Sequence, residues 1–169
     1  MASGKIPVST SNKYIDGYIY WTSTPDKDNN RSSVTAELRL RRNNTGYKTW
    51  GTGTFTIVIN GISKSVTQKY EITYNSNTLM VKNTVTVPHN NDGKKTITIK
   101  AYGNISGTTL SSSSASGSAV LDNIERFNGH ICIGNRWRDI IDGYICIGNR
   151  WRQLVEGYIL VSGKWRKFL

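Results

Sequence analysis

A chain of 169 residues with 22 Lys+Arg against 11 Asp+Glu, a net charge of +11, has room for one ordinary domain plus a small appendage, and it favours anionic partners without choosing among them. Tyr, Thr, Ser, Asn and Gly abound and no stretch sustains a 3.6-residue apolar period, which argues against a helical protein and predicts an all-β one with frequent turns. No run approaches transmembrane length and the first 11 residues lack an apolar signal core, so the expectation is a protein made in the cytosol with no membrane partner.

Residues 1–12 are polar and Ser/Thr-rich and are expected to form an N-terminal arm. From residue 13 the strand signals begin. Residues 14–23, YIDGYIYWTS, read as a strand with Tyr18, Tyr20 and Trp21 towards its end. The oxygen-rich run 24–30 lacks the closing glutamate of a calcium loop and reads as a solvated turn, so no metal is expected. Residues 34–42 alternate, sending Val34, Ala36, Leu38 and Leu40 inward and Thr35, Glu37, Arg39 and Arg41 outward. The strand 54–60 meets Asn60-Gly61, a type I′ hairpin signal, and returns over 62–73. Further strands follow at 79–87 and at 94–102, where Ile97 and Ile99 share a face. The Ser-rich run 108–118 reads as a loop or a flat edge strand before Ala119-Val120-Leu121 closes the domain. Seven or so closely spaced strands predict that residues 13–124 form an antiparallel β-sandwich, Ig-like or jelly-roll, with Val34, Ala36, Leu38, Leu40, Ile57, Ile97 and Ile99 in its core.

After a junction at 125–128, residues 129–169 repeat one unit three times with a period of 14 residues. In each copy an apolar, partly β-branched run meets Gly134-Asn135, Gly148-Asn149 or Ser162-Gly163 and returns through a basic-Trp-basic triplet, so each copy is read as a β-hairpin. A two-residue turn sets Ile147 opposite Arg150, Cys146 opposite Trp151 and Ile145 opposite Arg152. Both faces are half apolar, which predicts self-association, with Trp137, Tyr144, Cys146, Trp151 and Trp165 at the interface. Cys132 and Cys146 occupy the position that Leu160 fills in the third copy, so they are read as reduced, buried thiols.

Two histidines, His89 and His130, are the only imidazoles, and the second is replaced by Tyr144 and Tyr158 in the sister repeats. With no nucleophile motif, phosphate loop or metal-ligand spacing, the reading is non-enzymatic, without catalytic residues or cofactors. Tryptophan beside cationic side chains can stack on sugars and engage anions, which makes Trp21, Trp50, Arg136, Arg138, Arg150, Arg152, Lys164 and Arg166 the candidate glycan or anion contacts. Nucleic acid ranks below glycan as a partner, because acids are interspersed among the basic residues and no single groove emerges.

The blocks Tyr18-Ile19-Tyr20-Trp21-Thr22-Ser23, Gly51-Thr52-Gly53-Thr54-Phe55-Thr56-Ile57, Thr84-Val85-Thr86-Val87-Pro88-His89-Asn90-Asn91-Asp92-Gly93 and Val120-Leu121-Asp122-Asn123-Ile124 carry a family resemblance. Over residues 12–124 the chain resembles a β-domain at the N-terminus of minor structural proteins of tailed phages of Gram-positive bacteria. The repeats, ending in Gly157-Tyr158-Ile159-Leu160-Val161-Ser162-Gly163-Lys164-Trp165-Arg166, resemble the C-terminal units of phage tail and fibre proteins. The resemblance implies a tail- or fibre-type virion component, made in the host cytoplasm, that partners other virion proteins. By analogy with phage fibres it also implies a homotrimer, with Trp, Cys and Tyr side chains closed inside a three-sided prism. The alternative is a carbohydrate-binding module for a bacterial cell-wall polysaccharide, which is compatible with host attachment.

Overall fold

The computed structural model describes residues 1–46, 48–106 and 110–124, and, for backbone and strand register, 129–133, 136–141, 144–147, 149–153, 158–161 and 164–167. Two compact units result, one of Met1–Asn90 with Lys94–Ile124, the other of Asn91–Gly93 with Glu125–Leu169.

The first unit has eight strands: β1 (Ser3–Thr10), β2 (Ile15–Asp26), β3 (Arg31–Arg42), β4 (Thr49–Ile59), β5 (Ile62–Ile72), β6 (Thr78–Pro88), β7 (Thr96–Ser106) and β8 (Ser112–Val120). Their order is β5-β4-β7-β8-β1-β2-β3-β6, with each neighbouring pair antiparallel. The expected antiparallel sandwich is present, as two four-stranded layers, β6-β3-β2-β1 and β8-β7-β4-β5. The layers join where β1 meets β8, at Ser9↔Ser114 and Thr10↔Ser113. There Ser11 Oγ accepts hydrogen bonds from the Ser111 and Ser112 amides, 2.9 and 3.3 Å.

Period-2 alternation builds the core: Val34, Ala36, Leu38 and Leu40 from β3 meet Phe55, Ile57 and Ile59 from β4 and Ile97, Ile99 and Ala101 from β7, all buried. In β6, neighbouring Met80 and Val81 are both buried because the ladder with β3 slips between Leu38 and Arg39, a bulge that turns two successive side chains inward. The Asn60-Gly61 turn forms as expected, both residues at positive φ (48° and 86°) and Ile59 opposite Ile62.

Opposite the β1–β8 joint, β5 and β6 approach without a backbone ladder. Gln68 Nε2 donates to the Met80 carbonyl at 2.9 Å, and Asn83 Nδ2 to the Ile62 carbonyl at 3.3 Å. Side-chain amides thus occupy edge groups that would otherwise be open to strand addition.

Two segments differ from expectation. Residues 1–12, expected as an arm, contribute β1, which lies between β2 and β8. Its Gly4, Ile6 and Val8 face inward opposite Trp21, Ile19 and Gly17. The Ser-rich run yields β8, which is an interior strand rather than an edge, because Ser113, Ala115, Gly117 and Ala119 alternate inward beneath a row of outward serines.

In the second unit β9 (Gly129–Ile133), β10 (Arg136–Ile141), β11 (Tyr144–Ile147) and β12 (Arg150–Gln153) form one sheet in the order β12-β11-β10-β9. β13 (Tyr158–Val161) and β14 (Lys164–Lys167) form a separate pair. The register is the one expected: Cys146↔Trp151, Ile145↔Arg152 and Ile147↔Arg150, repeated as Cys132↔Trp137 and Leu160↔Trp165.

Candidate functional site

The two layers of the sandwich turn chemically different faces outward. On β1-β2-β3-β6 the charges neutralise one another. Glu37 accepts from Arg39 at 2.9 Å and pairs with Lys82 at 3.1 Å, and Arg41 pairs with Asp16 at 3.2 Å. Partial burial pushes the Glu37 carboxyl up, but Arg39 and Lys82 together hold it below the ordinary range. Lys5 Nζ lies 3.4 Å from the Tyr18 ring centroid, a cation–π contact at the head of the Tyr18–Tyr20 pair. At the β2–β3 turn, hydrogen bonds from Arg31 and Asn29 draw the Asp26 carboxyl below its ordinary value. Asn29 Nδ2 and Arg31 Nε both donate to the Asp26 carboxylate, at 2.9 and 2.8 Å, and Asn30 Nδ2 reaches the carbonyl of Asn90 at 3.1 Å.

On β5-β4-β7-β8 the outward positions are mostly hydroxyls. Thr54 and Thr67 share a 2.7 Å hydrogen bond, Thr56 and Ser65 another of 2.7 Å, and Ser106 donates to the Thr52 carbonyl at 3.1 Å. Two large aromatics stand out of this lawn, Trp50 at 67 % and Tyr102 at 49 % exposure. Three shallow depressions follow β4 along its length. The first, of about 440 Å³, is lined by Trp50, Gly51, Lys69, Tyr70 and Glu71. The second is lined by Thr52, Thr54, Thr67, Asn104 and Ser106 with Gly53, and the third by Val58, Asn60, Gly61, Thr98 and Lys100. Glu71 is occupied by Lys48 at 2.8 Å, whereas Lys69 and Lys100 make no ion pair among the described residues. Tyr70 turns the other way, into the core, where its ring meets Phe55 edge-on at 5.8 Å between centroids; burial raises its phenol pKa, and its hydroxyl has no hydrogen-bond partner among the described residues.

The sequence-derived candidates separate in the structure. Trp50 is on this face. Trp21 is a core residue instead, 8 % exposed, packed over Gly4 so closely that a Cβ there would lie 2.6 Å from its indole nitrogen. It shares the inward set with Ile15, Gly17 and Ile19, which removes it from any ligand surface. Arg136, Arg138, Arg150, Arg152, Lys164 and Arg166 flank the tryptophan positions of β10, β12 and β14, with Arg150 exposed. The side chains of Trp137, Tyr144, Cys146, Trp151 and Trp165, expected at an interface, lie outside the described residues, as do those of Cys132 and His130. His89 is buried beside the β2–β3 turn, its Nε2 2.8 Å from Ser32 Oγ, in a structural tie between the end of β6 and the start of β3. Sequence reasoning missed Lys69, Lys100, Tyr102 and Asn104. Alternation in TITIKAYGNIS already separates Lys100, Tyr102 and Asn104 from the isoleucines, but which strands they stand beside is a non-local fact.

The family model described as "Siphovirus protein of unknown function (DUF859)" matches residues 15–129. The chain belongs to this family. The match covers β2 to β8, seven of the eight strands of the sandwich, and it stops where the repeats begin. No curated protein and no solved structure matches the chain. Among the described residues no helix is long and apolar enough to cross a membrane, and no group of three His, Cys, Asp or Glu side chains could hold a metal.

Proposed function

We propose that this siphovirus-family protein is a non-enzymatic structural component of the phage particle, of tail or fibre type, in which the hairpin repeats associate copies and the sandwich is displayed. The observation that carries the reading is the pairing of a siphovirus family domain with tandem hairpins in identical register. Supporting it, Glu37, Asp16 and Asp26 are each in ion pairs that hold strands together, and His89 ties Ser32. A repeated half-apolar hairpin serves association between copies, since alone it lacks a core.

The test is the composition of purified particles. Mass spectrometry of gradient-purified virions is expected to find the protein at a fixed copy number, and antibody labelling to place it at the tail. A protein abundant in the infected-cell lysate but missing from particles would overturn the reading.

A further inference from the structure

From the outer face of β5-β4-β7-β8 we propose that the sandwich binds an anionic polysaccharide along β4, a phosphate-bearing cell-wall polymer being the intended ligand. The inference rests on the virion reading for its biological setting but not for its chemistry. A pyranose ring offers an apolar C–H face and a rim of hydroxyls. Exposed Trp50 and Tyr102 supply planes for the first. The Thr and Ser hydroxyls and the Asn104 amide, which both donate and accept, match the second.

The geometry selects a polymer over a monosaccharide. Tyr102 stands opposite Thr56, six residues along β4 from Trp50, a separation of ~20 Å at strand rise. The three depressions extend over 50–60, ~33 Å of strand. An extended chain laid along them would meet aromatic, hydroxyl and amide groups in turn.

Charge selects an anionic one. Lys69 sits in the first depression and Lys100 in the third, so a cation lies near each end of the track. The one carboxylate on the track, Glu71, is already held by Lys48. The face is also unlike its counterpart on β1-β2-β3-β6, where cations are consumed by Glu37 and Asp16.

Titration calorimetry on the full chain tests this with three probes: a dextran carrying phosphate monoesters, the same dextran after phosphatase treatment, and a single-stranded oligonucleotide. Binding is expected for the phosphorylated dextran, weakened by salt and several-fold weaker after the phosphates are removed. Trp50→Ala is expected to lower affinity about tenfold, and Lys69→Ala with Lys100→Ala by a similar factor. Arg41→Ala, on the opposite face, leaves binding unchanged. Absence of binding to the phosphorylated dextran, equal affinity for the oligonucleotide, indifference to Trp50→Ala or to phosphate, or an equal loss in Arg41→Ala would each overturn the proposal. Because particle incorporation is read separately, a protein that enters virions but binds no glycan defeats this inference and spares the structural reading.

Discussion

Leu38, Trp21 and Glu37 show what single residues carry. Leu38 is fully buried on β3, so Leu38→Ala should cost about 2–5 kcal/mol, read as a lowered denaturation midpoint. Trp21→Ala should cost about 3–5 kcal/mol and leave ligand affinity untouched, the reverse of what Trp50→Ala should do. Glu37 adds a pH dependence. Its folded pKa lies below the unfolded one, so its contribution is full above the unfolded value of ~4.3 and is lost as pH falls through the lower folded value. Acid denaturation of Glu37→Gln should therefore be shallower in that window than that of the parent; identical profiles would show that the Arg39–Glu37–Lys82 group contributes nothing. The inward set of β3 was legible because alternation is local. The same period-2 rule places Trp21 inward with Ile19, whereas its standing as a candidate contact rests on residue type alone, which does not say which face of the strand an indole takes.

At the scale of elements, local composition misled at both strands that join the layers. β1 and β8 are rich in Ser, Thr, Gly and Pro, residues that favour turns or arms when taken alone, and they are strands because each has partners on both sides. Such pairing is decided by residues about a hundred positions apart, as in Ser9↔Ser114, and no window of sequence contains it. The consequence can be measured. Removing residues 1–10 should expose Ile19 and the inner side of β8 and lower the thermal midpoint of the sandwich markedly, whereas removal of a free arm would leave it unchanged. The hydroxyl face is hidden from sequence for the same reason. Its serines and threonines come from four strands, and their common surface exists only once β4 has β5 on one side and β7 on the other.

For the whole molecule the repeats raise the matter of cover. The four-stranded sheet ends at β12 and β9, each with one edge unpaired in that sheet, and the third hairpin stands as a two-stranded piece. Two-stranded hairpins are marginal alone in water, and paired edges or a covered face are the usual remedies. The register sets every Trp opposite Cys or Leu, a large-with-small pairing suited to a packed face, and sets the basic residues opposite Ile or Val on the other side. Three copies bringing Trp faces together would close a prism, whereas two would cover a single face each. The full chain is accordingly expected to be a trimer by light scattering at micromolar concentration. Deleting residues 129–169 should leave a folded monomeric sandwich, because the core of Leu38, Phe55, Ile57 and Ile99 is complete within the first unit. Trp151→Ala should weaken assembly more than Arg150→Ala, since Arg150 is exposed. A full-length monomer whose repeats retain their strand signal by circular dichroism would refute the assembly, and a dimer would refute the three-fold closure alone.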